Sequence, residues 1–156
     1  MKNILYRLTV CLLAVLCVVS TNVYAQQKDS EIPAAQLLQP AELAQILNTS
    51  ASEKPLILQL GSHVLYAEAH IPGSEYVGAS GQDSGLQALR ERVKSLKRDQ
   101  FLVLYCGCCP WGKCPNIRPA YQQLVSLGFT HVNVLYLADN LGTNWVAKGY
   151  PVAKGR

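Results

Sequence analysis

The sequence is poor in several features that would point directly to a function. It has no apolar run of the roughly 20 residues that a bilayer-spanning helix needs, and Leu8–Val19 is too short to cross comfortably. It has no basic run interleaved with aromatics, so nucleic-acid binding has no support. Internal repeats and low-complexity segments are missing as well. Arg90, Arg92, Lys94, Lys97 and Arg98 do gather, but Glu91 and Asp99 sit among them, and the stretch reads as the solvated face of a helix. The 156 residues suit one domain.

What is present begins with a leader. Lys2 and Arg7 precede the apolar run Leu8–Val19, and Val23-Tyr24-Ala25 offers a small residue at its exit. That order describes a secretory signal peptide over residues 1–25. The expectation is an exported protein, periplasmic or secreted, with membrane attachment only if the signal stays uncleaved. A lipoprotein would need a small residue before Cys11 or Cys17, where Val10 and Leu16 stand. Cleavage after Ala25 removes two basic residues and no acidic ones, which leaves twelve against ten, a nearly balanced surface.

Cysteine usage is the most informative feature. Two of the six cysteines, Cys11 and Cys17, fall in the leader, and Cys106, Cys108, Cys109 and Cys114 lie within nine residues of one another. A disulfide scaffold spreads its cysteines so that bridges tie distant segments together. Bridges inside so short a loop would add little to fold stability. The clustering therefore points to a site.

Along the chain, residues 26–33 read as a flexible arm, extended through about 38, and residues 34–154 as the domain. Pro40 opens a helix with Leu43, Ile46 and Leu47 on one face. Leu56–Leu60 and Phe101–Tyr105 are continuous apolar runs, the pattern of strands buried on both faces. Helices are expected over Leu65–Ala69, Leu86–Lys97, Pro119–Leu127 and Asn140–Lys148, with a turn at Ile71-Pro72-Gly73. A short edge strand over Glu75–Ala79 and a strand over His131–Leu137 complete the pattern. Alternating strands and helices make this an α/β chain: a small, parallel-dominated sheet with helices on both faces.

Three stretches in order resemble the rhodanese-like domain family. Tyr66-Ala67-Glu68-Ala69-His70-Ile71-Pro72-Gly73-Ser74 is similar to the family's segment ending in His-Ile-Pro-Gly-Ala. Leu102-Val103-Leu104-Tyr105-Cys106 is a buried strand that delivers a cysteine at its C-terminal end, and Trp145-Val146-Ala147-Lys148-Gly149-Tyr150-Pro151-Val152 is similar to the closing Trp-x-x-x-Gly-Tyr-Pro-Val. The resemblance covers residues 34–154 and implies a sulfurtransferase whose nucleophile is Cys106. Two departures bear on that expectation. Gln59-Leu60-Gly61 stands where the family has Asp-Val-Arg, and Arg118 lies twelve residues past Cys106 instead of about five, so the loop is enlarged.

A cysteine between a strand end and a helix start faces backbone N–H groups and the positive end of a helix dipole, with Lys113 and Arg118 able to add full charges. Such surroundings favour the thiolate. The resemblance implies that this thiolate takes a sulfane sulfur from a small sulfur-containing anion, as a persulfide that a thiol acceptor then removes. Cys114 is the expected resolving thiol. No cofactor is expected in that reading. Two alternatives use the same loop: thiol–disulfide exchange with a redox protein partner, in which Cys114 pairs with Cys106, Cys108 or Cys109, and soft-metal binding, in which Cys106, Cys108, Cys109 and Cys114 offer thiolates to Cu(I) or Zn(II). A non-catalytic binding module on the same fold is a further alternative. A phosphatase is set aside, because Cys-x5-Arg would need a cysteine at Gly112. Trp145 reads as core, His70 as a turn-stabilising residue, Trp111 as a shield or partner-facing surface, and Asn116 as the cap of the helix after the loop.

Overall fold

A computed structural model describes residues 32–49 and 54–155. The leader, the Ala25 exit and nearly all of the arm lie outside those residues. The sheet is organised around β4 (Leu102–Tyr105), whose four residues are all buried and which carries no polar side chain other than the Tyr105 hydroxyl. Such a strand requires cover on both faces, and parallel pairing with crossover helices provides it. β1 (Leu37–Leu38), β2 (Leu56–Gln59), β3 (Glu75–Tyr76) and β5 (Val132–Leu135) complete a five-stranded sheet in the order β1-β5-β4-β2-β3, parallel throughout. β4 is therefore the central strand, and residues at its C-terminal end look into the crevice where α/β folds place ligands.

Alternation along β4 divides the core. Leu102 and Leu104 pack with Leu89 and Val93 of the helix Asp83–Val93 and with Ala120 and Leu124 of the helix Ile117–Ser126. Val103 and Tyr105 face the opposite way, against Leu43 of the helix Pro40–Asn48 and against Leu141 and Trp145 near the C-terminus. The helix Asp83–Val93 approaches the preceding loop so closely that a Cβ on Gly85 would lie 2.2 Å from the Ala79 carbonyl oxygen. The same helix is tied to the sheet edge by Arg92, whose Nε and Nη2 donate to the two carboxylate oxygens of Glu75 at 2.5 and 2.8 Å.

Most of the expected elements form, but the expected strand Glu75–Ala79 is only Glu75–Tyr76, the helices expected from Leu65 and Pro119 begin two residues earlier at His63 and Ile117, and three further differences are larger. Leu37 and Leu38 leave the arm to pair with Val134 and Leu135 as an edge strand, a run too short for periodicity to reveal. The expected helix Leu86–Lys97 instead spans Asp83–Val93, starting with Asp83 in its first turn, where a negative charge suits the dipole. The final helix breaks at Trp145 into Leu141–Asn144 and a 3-10 turn, Val146–Lys148. The break accompanies full burial of the indole, whose Nε1 donates to the Pro151 carbonyl at 2.8 Å.

The three motif stretches meet in space. The Tyr105 hydroxyl accepts from the Ile71 backbone N–H at 3.3 Å and lies 3.1 Å from Ser74 Oγ, so the residue before Cys106 is clamped to the His-Ile-Pro-Gly turn. Burial pushes the Tyr105 phenol up to about 12, which keeps it a neutral hydrogen-bonding group. His70 and Ala153 exchange backbone hydrogen bonds of 2.9 Å in each direction, which ties the turn to the C-terminal stretch. His70 is buried, stacks on Tyr66 and places Nδ1 2.8 Å from the Tyr66 carbonyl, a structural arrangement. No helix among the described residues is long and apolar enough to cross a membrane.

Candidate active site

The loop Cys106–Cys114 leaves the C-terminal end of β4 and returns to the helix Ile117–Ser126. Cys106 is only 4% exposed. The Gly107 carbonyl accepts from the Leu141 N–H at 3.1 Å, and Trp111 N–H donates to the Ala138 carbonyl at 3.1 Å, so the loop is pinned to the segment after β5. Trp111 packs against Tyr136 with ring centroids 5.1 Å apart. The turn Pro110–Lys113, with Gly112 at φ +67°, brings the chain back toward the helix.

All four loop cysteines are free thiols. Cys106 Sγ lies 3.3 Å from Cys108 Sγ, which lies 2.9 Å from Cys109 Sγ. This series runs from buried Cys106 through exposed Cys108 to half-buried Cys109. Cys114 is half-buried, and its thiol is pushed well up by the neighbouring Cys106 and by burial. The Asn116 and Ile117 backbone N–H groups act on the Cys114 thiol in the opposite direction. The backbone donors expected around Cys106 are thus felt at Cys114. Although the Cys108 residue is exposed, its sulfur is partly shielded, and this shielding and then Cys109 push the thiol up against the lowering contact with Cys106.

The nitrogen donor on Cys106 is a side chain that the sequence points elsewhere. Asn116 Nδ2 donates to Cys106 Sγ at 3.3 Å, and Asn116 Oδ1 accepts from the Gly81 N–H at 2.8 Å. Asn116 stands at the start of its helix but makes no side-chain cap. Read from sequence alone it is a capping residue, and nothing local would reveal that its partners are 10 and 35 positions away.

The departure at Gln59-Leu60-Gly61 also has a physical meaning. A Cβ on Gly61 would lie 3.1 Å from Cys106 Sγ and 3.0 Å from Gln59 Nε2, so the sulfur and the buried Gln59 amide fill the space a side chain would need. Gln59 Oε1 accepts from the Gly61 N–H at 3.1 Å and holds that strand end in place.

No family model matches the chain, and no curated protein matches it. Among solved structures, the chain is similar to the Alr3790 protein from Anabaena sp. at 22% identity and a TM-score of 0.57, over 76% of this chain and 92% of that one. It is similar to the rhodanese-like domain of the Alr3790 protein in solution at 22% identity and a TM-score of 0.55, over 76% of this chain and 79% of that one. A rhodanese-like domain protein from Staphylococcus aureus aligns at 13% identity and a TM-score of 0.51, over 78% of this chain and 99% of that one. The fold is rhodanese-like. At these identities the likeness carries the architecture, and the chemistry rests on the residues themselves.

Within this rhodanese-like frame, the loop separates two openings. An open groove of about 1150 Å³ is lined by Leu37, Trp111, Cys114, Ile117, Lys113 and Arg118 among others. A smaller pocket of about 300 Å³ is lined by Gln59, Glu68, Gly107, Cys108, Asn140 and Leu141 among others. Lys113 and Arg118 are exposed and make no ion pair among the described residues. They line the groove that Cys114 also lines, where they suit an anion. Among the described residues, no three His, Cys, Asp or Glu side chains converge as a ligand set, the four loop cysteines included.

Proposed function

We propose that this protein is a sulfurtransferase that takes a sulfane sulfur onto Cys106 and releases it with the help of Cys114. The observation that carries the reading is the position of Cys106: buried at the C-terminal end of the central parallel strand, with an amide donor on its sulfur and further thiols around it. In the first step the Cys106 thiolate attacks the outer sulfur of thiosulfate. The donor S–S bond breaks, sulfite leaves with the electron pair, and Cys106 carries the persulfide. Lys113 and Arg118 at the mouth of the groove suit an anionic donor.

In the second step Cys114 attacks Cys106 Sγ. A Cys106–Cys114 disulfide forms, the bond to the sulfane sulfur breaks, and hydrosulfide leaves, carrying the proton that Cys114 gives up. Cys106 itself and burial hold the Cys114 thiol up, so the attack requires the Cys114 proton to pass to the departing sulfane sulfur. An external thiol then reduces the disulfide. The leader supports placing this chemistry in an exported protein, and those residues lie outside the described structure.

The 3.3 Å contact between Cys106 and Cys108 favours a second reading, dithiol exchange with a redox partner. Single substitutions separate the roles. With thiosulfate and limiting dithiothreitol, Cys114→Ser is expected to take up the first sulfur normally, to accumulate the Cys106 persulfide, and to turn over about tenfold more slowly. Cys108→Ser is expected to stay near the parent rate. Parent-like turnover by Cys114→Ser, with no persulfide build-up, contradicts the resolving role, and the reverse pattern assigns that role to Cys108. A Cu(I)- or Zn(II)-binding loop gives a different result: either substitution weakens metal retention and neither traps a sulfur adduct.

A further inference from the structure

We infer that Asn116 is the residue that holds negative charge on Cys106, as a hydrogen-bond donor whose orientation is locked by the Gly81 backbone. The inference rests on Cys106 being the reacting thiol of the site described above. The orientation follows from donor chemistry alone. A backbone N–H can only donate, so the Asn116 atom 2.8 Å from the Gly81 nitrogen must be the carbonyl oxygen. The other end of the same planar amide, 3.3 Å from Cys106 Sγ, is then the NH2 group, which can only donate.

Burial makes the arrangement consequential. Asn116 is 6% exposed and Cys106 is 4% exposed, so little water competes for either group. A hydrogen bond given to a charged acceptor in such surroundings favours the charged form. Gly81 is part of the device, because a Cβ there would lie 3.1 Å from Asn116 Oδ1 and 3.3 Å from the Pro115 carbonyl oxygen. The side chain is also free for the task, since it makes no cap on its own helix. The loop around 80–81 thereby controls the aim of a donor on the far side of the site, and its partner sulfur is the one at the end of β4.

The test substitutes Asn116→Asp, which separates structure from chemistry. The carboxylate keeps an oxygen for the Gly81 N–H, so a merely structural role survives, while the group facing the sulfur changes from donor to acceptor and gains negative charge. The titratable groups around Cys106 are Cys108, Cys114 and Tyr105, with Cys109 behind Cys108, Lys113 and Arg118 in the groove and Glu68 in the pocket on the other side. In a full-length background carrying Cys11→Ser, Cys17→Ser, Cys108→Ser, Cys109→Ser and Cys114→Ser, Cys106 is the one remaining cysteine and thiolate absorbance in the ultraviolet follows it.

Asn116→Asp is expected to raise the Cys106 titration midpoint by about one pH unit or more, a tenfold loss of thiolate at fixed pH. Thermal stability should stay close to that of the background. Asn116→Ala, which removes the donor without adding charge, is expected to raise the midpoint by a smaller amount and serves if the Asp variant does not fold. An unchanged or lowered midpoint in both variants overturns the inference. The titration does not depend on sulfur transfer: a raised midpoint in a protein that takes up no sulfur supports the Asn116 role and overturns only the sulfurtransferase reading.

Discussion

Cys106→Ser is expected to abolish sulfur uptake from thiosulfate, lowering it by more than about a thousandfold while leaving the fold intact. Serine is nearly isosteric, and its hydroxyl can still accept from Asn116 Nδ2 and fit beside Gly61. Its hydroxyl does not ionise near neutral pH, so no nucleophile of thiolate strength remains at the end of β4. The remaining thiols do not substitute for it. Cys108 and Cys114 do not sit on the strand end, and the Asn116 amide that donates to Cys106 Sγ is directed at neither of them. Uptake measured as sulfite released from thiosulfate, with the melting temperature as the control, checks this result. Residual uptake near the parent level moves the nucleophile to another cysteine.

Trp145→Ala is expected to have the largest effect on stability, a loss of about 3–5 kcal/mol. The indole is fully buried among Ile71, Val103, Tyr105 and Leu141, and its ring lies 5.0 Å from that of Tyr150. Its Nε1–H is the bond that folds Pro151 back over the core. Removal leaves a cavity directly beneath Tyr105, the residue preceding Cys106, and releases the stretch that pairs with His70. A melting temperature lower by more than about 10 °C is the expected reading. Trp145→Phe, which retains most of the volume and loses only the N–H, should recover more than half of the loss.

The parts of the fold that depend on burial pattern were legible in the sequence. Leu102–Tyr105 has no polar side chain to face water, so a central strand was its only stable use, and the cysteine that follows had to emerge at the crevice end. The clustering of four cysteines in nine residues likewise marked the loop as a site. What escaped depends on contacts between distant segments. Leu37–Leu38 is too short to carry a period and is a strand only because β5 offers an unpaired edge. Asn116 looks like a cap because the helix beside it is visible in sequence, whereas Gly81 and Cys106 are not. That Lys113 and Arg118 share one groove with Cys114 and Leu37 is likewise a matter of how distant segments meet. Gly61 is informative only once the position of the Cys106 sulfur is known, because the absence of a side chain there is a statement about space.

The two openings beside the loop bear on how transfer proceeds. The groove that carries Lys113, Arg118 and Cys114 has cationic groups for an anion, while the pocket that carries Cys108 has Glu68 and the neutral amides of Gln59 and Asn140. The cationic opening is the one that suits an anionic donor.

The most direct test of the central claim is the mass of the Cys114→Ser protein, isolated without reductant and treated with thiosulfate before any thiol is added, because that substitution traps the persulfide on Cys106. The account predicts a gain of one sulfur atom, placed on Cys106 by peptide mapping, with sulfite released in equal amount. A protein that instead loses two or four hydrogens, retains a metal ion in the native spectrum, or carries the added sulfur on another cysteine contradicts it.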